Sequence, residues 1–242
     1  MLKILVMTNI LNEKIMKPVT FSKNTLSILK NFSSLNSNLL VKPGNTIKTI
    51  TPSKNGMAIA SVEENFTTEF GIWDLSKFLG VISLFNTPIF EFGQKNMKIK
   101  GSGSSVVNYY YAEPRLLSVP TKDVIMPEVN VSITMTEKQF IELQKAASVM
   151  QLSDLSFKSD SGTIVAMVSD LSDPTSNSYK VTVEEKYSGP EFLFNFKMEN
   201  IKILSGDYKI NFAKNIVGEF IHKGMSLTYW FAMEANTSKY GS

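Results

Sequence analysis

Apolar residues recur at helical spacing twice in the first half of the chain. Leu26, Leu29, Phe32 and Leu35 form one stripe, opposite Lys23, Ser27, Lys30, Asn31 and Ser34. Ser22 stands just ahead of them with the side-chain oxygen that caps a helix N-terminus. Leu75, Phe78, Leu79 and Ile82 form a second stripe behind Asp74, with Lys77 outward. Elsewhere the pattern shortens to strand-like runs at 46–50, 57–62, 67–72, 89–92, 97–100 and 106–111. Asn55-Gly56 predicts a hairpin turn, and Gly93 and Gly101 punctuate the later runs.

The second half repeats this order. Thr134-Met135-Thr136 echoes Thr20-Phe21-Ser22 and leads into Phe140, Leu143 and Ala146. A helix is expected from Thr136 to about Met150, then strands at 155–158, 163–168 and 179–185. A polar loop at 170–178 intervenes. A fourth helix is expected at about 197–204, then strands at 208–212, 217–221 and 227–233. The run Val107-Asn108-Tyr109-Tyr110-Tyr111-Ala112 returns as Leu227-Thr228-Tyr229-Trp230-Phe231-Ala232. A repeat of this length is a domain rather than a solenoid unit.

The halves are joined by a stretch holding Pro114, Pro120 and Pro127. Proline removes a backbone donor and disfavours helix and central strand, so this is an extended connector. The reading is an extension over 1–15, a domain over 16–113, a connector over 114–129 and a domain over 130–242. Each domain is expected to be α+β, with two helices packed on an antiparallel sheet. Residues 1–15 read as a flexible extension, or Met16 as the true start. No apolar run is long enough to span a membrane.

Composition narrows the chemistry. A hydrophobic fraction of 43% over 242 residues can fill two cores. Cysteine is absent and His222 is the single histidine, which removes the usual nucleophiles, bases and zinc ligands. No glycine loop of the nucleotide-binding kinds is present, and no cofactor or metal is expected. Asp160, Asp170 and Asp173 lack the register of a calcium loop. Glu63-Glu64 and Glu184-Glu185 are adjacent on strands and point to opposite faces, so they make poor catalytic pairs.

Net charge is +3, and Arg115 is the sole arginine among 25 basic residues. Lysine is a point charge suited to loose attraction to phosphates, whereas arginine reads bases. Lys23 and Lys30, Lys77, Lys138 and Lys145, and Lys202 lie on the outward sides of the four expected helices. Such faces can attract a phosphate backbone without reading sequence. An AT-rich genome and ordinary solvated helices account for the same lysines.

Certain runs resemble a known family. Ser22-Lys23-Asn24-Thr25 with Leu29-Lys30-Asn31-Phe32, and Trp73-Asp74-Leu75-Ser76-Lys77-Phe78-Leu79-Gly80-Val81-Ile82, are similar to the first two helices of the T-even bacteriophage DNA polymerase sliding clamps. Phe194-Asn195-Phe196 and Gly206-Asp207-Tyr208-Lys209 resemble the matching piece of the second domain. The resemblance implies the DNA-clamp fold and a homotrimeric ring through which duplex DNA threads, contacted by the six lysines. It implies a replicative polymerase and an ATP-dependent clamp loader as partners, no catalysis and no membrane, in the cytoplasm of an infected bacterial host. Its duplicated fold places the subunit interface at Val106, Val107 and Tyr109 of one copy and Tyr179, Val181 and Val183 of the next. It places a pocket for partner peptides at Leu116, Leu117, Val119, Trp230, Ala232 and Met233. The alternatives are a phage tail or baseplate protein, which has no need of cationic helix faces, and a carboxylate-dependent enzyme.

Overall fold

The computed structural model describes residues 18–214 and 216–241. The expected extension over 1–15 lies outside the described residues. In chain order the elements are α1 (Lys23–Leu35), β1 (Leu39–Val41), β2 (Gly44–Ile50), β3 (Gly56–Phe66), β4 (Phe70–Ile72), α2 (Leu75–Ile82), β5 (Ile89–Phe92), β6 (Asn96–Lys100) and β7 (Val106–Tyr110). After the connector come β8 (Val131–Met135), α3 (Glu137–Met150), β9 (Asp154–Asp160), β10 (Thr163–Ser169), β11 (Tyr179–Glu184), β12 (Phe192–Lys197), β13 (Tyr208–Ala213), β14 (Val217–His222), β15 (Leu227–Ala232) and β16 (Lys239–Tyr240).

The helix starts are set by the residues the sequence nominates. Ser22 Oγ accepts the Thr25 N–H at 3.1 Å, and Asp74 Oδ1 accepts the Lys77 N–H at 2.9 Å. Thr136 and Gln139 exchange bonds in a capping box. The buried stripe of α1 is Thr25, Ile28, Leu29, Phe32 and Leu35, with Leu26 only half-buried. Thr25 turns inward because its hydroxyl donates to the buried carboxylate of Glu64, which also accepts the Ser22 N–H.

The expected fourth helix does not form. Residues 198–200 make a single 3-10 turn, and 201–204 run on without regular structure. The segment is short, β-branched at Ile201 and Ile203, and closed by Gly206 at φ 148°, all unfavourable to a helix of useful length. The second half therefore carries one α-helix, not two.

Every strand pair is antiparallel. The strand orders are β5-β6-β7, β11-β10-β9-β12-β16, β1-β4, and a six-stranded sheet β2-β3-β15-β14-β13-β8. This last sheet joins the two halves through β3 and β15, where Ala58 faces Tyr229 and Met57 faces Trp230. Phe21, Phe66, Phe70 and Phe90 centre the first core, and Phe157, Phe194, Phe196, Phe212 and Phe220 the second.

Candidate nucleic-acid interface and partner surfaces

All six candidate DNA-facing lysines are exposed, but they are not equally free. Lys77 pairs with Asp74 at 3.2 Å and Lys138 with Glu142 at 4.0 Å. Lys202 donates to Ser34 O at 3.2 Å, against the carbonyl-rich end of α1. Lys23, Lys30 and Lys145 have no ion pair among the described residues. Lys23 and Lys30 are seven residues apart on the outward face of α1, opposite its buried stripe. A charge so placed is held in register by the helix yet keeps its mobility and hydration, as a non-specific phosphate contact requires.

The segment that fails to become a helix has another use. Asn31 Nδ2 donates to Lys202 O at 3.0 Å, and Asn31 Oδ1 accepts from the Tyr229 hydroxyl at 2.7 Å. That hydroxyl also accepts the Leu204 N–H at 3.1 Å, while Tyr208 donates to Leu204 O at 2.6 Å. Burial pushes both phenols up from their ordinary value, so they stay protonated donors. Asn31 and Tyr229 thus lock α1 of the first half to the 201–204 segment of the second. Sequence reasoning passed over both. Asn31 sits in a polar face like its neighbours, and Tyr229 in an aromatic run that reads as sheet packing.

The candidate subunit-interface residues lie on two open sheet edges. β7 is the outer strand of the three-stranded sheet and β11 the outer strand of the five-stranded one. Val107, Tyr109, Val181 and Val183 are half-buried against their own cores, whereas Val106, Tyr110 and Tyr179 are exposed. Free edges ending in exposed valine and tyrosine are templates for pairing with another chain.

The connector lies over the six-stranded sheet. Lys48 of β2 pairs with Asp123, and Asn36 Nδ2 donates to both Ile50 O and Ser118 O at 2.8 Å. Ile50 begins a row of facing residues across all six strands: Ile50, Met57, Trp230, Glu219, Asn211 and Ser132. Glu219 uses both oxygens, accepting the indole N–H of Trp230 at 3.1 Å and the amide of Asn211 at 2.7 Å. Ser132 closes the chain on Asn211 Oδ1 at 2.8 Å. Val119 follows Ser118 at the start of this row. Leu117 points elsewhere: it is 9% exposed and lies against Gly71. Met233 is also buried, while Leu116 (61% exposed) and Ala232 are open. Of the candidate pocket residues, then, Trp230 and Ala232 share the outer face of β15, and Leu117 and Met233 serve the chain's own packing.

The remaining polar candidates are structural. Asp170 and Asp173 accept the backbone N–H groups of Ser172 and Thr175 within their own turns. His222 Nδ1 accepts the Gly224 N–H at 2.9 Å and Nε2 meets Ser205 O at 3.1 Å. Among the described residues no helix is long and apolar enough to cross a membrane, and no cluster of three or more acidic or histidine side chains could hold a metal.

Residues 133–235 match the family model for the C-terminal domain of the gp45 sliding clamp. The sliding clamp of Vibrio phage KVP40 is 26% identical over 219 residues, covering 88% of this chain and 98% of the relative. That of Enterobacteria phage T4 is 27% identical over 224 residues, covering 90% and 97%. Over about nine-tenths of its length the chain is similar to the phage sliding clamps. The same fold recurs in A. fulgidus PCNA, solved with the C-terminal region of FEN-1, at a TM-score of 0.68 and 18% identity over 90% of this chain and 98% of that chain. The family match and the two phage relatives favour the clamp reading over the tail-protein alternative.

Proposed function

We propose that three copies of this clamp close head-to-tail into a ring that encircles duplex DNA and holds a replicative polymerase on its template. The proposed domains span 16–113 and 130–242, with 114–129 as connector. The observation that carries the reading is the pair of open edges, β7 in one half and β11 in the other. A heterologous contact between two different surfaces of one chain propagates from copy to copy, and it terminates only when the rotation closes a ring. Edge pairing at Val106, Val107 and Tyr109 with Tyr179, Val181 and Val183 satisfies both rows of backbone groups at once.

Lys23, Lys30, Lys138 and their neighbours supply a screened attraction shared among many phosphates. Such a contact centres DNA without fixing its register. The outer row around Trp230 supplies a docking surface for the tail of the polymerase, with exposed Leu116 and half-buried Val119 of the connector as further apolar candidates. A closed ring needs an ATP-dependent loader to admit DNA, and the clamp itself catalyses nothing. Its place of action is the cytoplasm of the infected host. The test is primer extension by the cognate polymerase with its loader on a long template. Product length should rise with added clamp; product length independent of clamp overturns the reading.

A further inference from the structure

The free edge of β7 has a defined end. Tyr111 N–H donates to Lys95 O, toward β6, while Ala112 N–H donates to Gly71 O at 2.9 Å. Successive N–H groups of a strand point to opposite sides, so β4 abuts the side of β7 away from β6. Trp73 and Asp74 follow two and three residues later, at the Tyr110 end of the open edge. From there α2 crosses the strand, with Phe78 4.9 Å from Tyr109 between ring centroids, and the chain just past its end brings Phe85 beside Gly101. Helix α2 is therefore antiparallel to β7. On the other edge, Gln139 near the start of α3 donates to Thr182 O at 2.9 Å. The helix ends beside Tyr179, where Glu142, Lys145, Ala146, Val149 and Met150 line a groove. Helix α3 is thus antiparallel to β11.

Joining β7 to β11 in the antiparallel sense used by every other pair, with both helices on one face, makes α2 and α3 antiparallel neighbours. The start of α2 then meets the end of α3. Three residues there match in order. Trp73 (58% exposed) comes opposite Val149 (83% exposed), Asp74 opposite Lys145, and Lys77 opposite Glu142. We propose that Trp73 of one copy seats in the Ala146–Val149–Met150–Tyr179 groove of the next, flanked by the ion pairs Asp74–Lys145 and Lys77–Glu142. The occupant is a second copy of this chain, and the inference rests on the ring reading above. Both exposed apolar side chains leave water together, and the charges of one helix complement those of the other in sequence order. In this arrangement Lys77 and Lys145 serve the subunit joint rather than DNA.

The test is sedimentation of the full chain across a dilution series. Trp73→Ala should raise the dissociation constant tenfold or more, on the order expected for a central aromatic anchor. Lys77→Glu and Glu142→Lys should each weaken assembly, and the two combined in one chain should restore it. In a Trp230→Phe background, Trp73 is the only tryptophan left, and its emission should shift to the red as dilution separates the copies. If Trp73→Ala and both charge reversals assemble like the parent, the helix-to-helix contact is refuted while the ring stands. If the parent itself sediments as a monomer at every concentration, the ring reading falls with it.

Discussion

The Tyr229 hydroxyl donates to Asn31 Oδ1 at 2.7 Å across 198 residues of chain, and it also accepts the Leu204 N–H. One buried phenol thereby holds a helix of the first half against the irregular segment of the second. Tyr229→Phe keeps the ring packing and leaves the Leu204 N–H and Asn31 without this partner. We expect a loss of about 1–3 kcal/mol in urea unfolding, with the β-sheet circular dichroism unchanged. A cost below the error of the measurement would show that water replaces the phenol at the joint.

Acid should loosen the second half through Asp154. Burial alone would raise its carboxyl, but hydrogen bonds from Lys197, Ser153 and the Leu171 N–H outweigh that and hold it below its ordinary 3.8. A folded-state pKa below the unfolded one gives stability that is complete above the unfolded value and lost as pH falls through the folded one. Unfolding free energies between pH 7 and pH 2 should therefore decline below about pH 4. Asp154→Asn should start lower and show a shallower decline. Parallel curves for parent and variant would contradict the assignment.

The free lysines should act on DNA additively and through salt. Lys23→Ala with Lys30→Ala should reduce the slope of log affinity against log salt by about 1.8, or about 0.9 for each phosphate no longer neutralised. Adding Lys138→Ala should extend the trend, while any single change has little effect on loading. Retention of clamps on nicked circular DNA at rising salt measures this, and an unchanged slope would place these side chains away from the duplex.

Proline at Val181 should open the ring. It puts a rigid, donor-less residue in the middle of β11. The expected product is a monomer by sedimentation that keeps the near-ultraviolet signature of both aromatic cores. A trimeric Val181→Pro protein would move the interface off this edge.

Docking of the polymerase tail should depend on Trp230 and Leu116. Leu116 is exposed and Trp230 is oriented by Glu219, so truncating either leaves the fold intact. A labelled polymerase C-terminal peptide should bind Trp230→Ala at least tenfold more weakly, about 1.4 kcal/mol, as for an aromatic anchor. Leu117→Ala and Met233→Ala should instead lower thermal stability, because both side chains are buried in the chain itself. Equal peptide affinity for the parent, Trp230→Ala and Leu116→Ala proteins would put the site elsewhere.

The sequence by itself determined what depends on neighbours within a few residues. Ser22, Asp74 and Thr136 announced three helices because a cap acts over three residues. The alternation in 106–111 and 227–233 announced strands because side chains of a strand alternate faces. Duplication, proline content and the family resemblance suggested a two-part plan. Tertiary structure decided the rest. The 197–204 segment has helical spacing, but its β-branched residues disfavour one or two turns of helix, and its backbone docks on α1 instead, through the Lys202 carbonyl and Asn31. The pairing of β3 with β15 makes one sheet of two halves, and no local pattern encodes a partner so distant in the chain. The same holds for the outer row from Ile50 to Ser132, in which register alone brings Trp230 to Glu219. Leu117 and Met233 carry the same apolar label as Leu116, and only packing decides which of them reaches solvent.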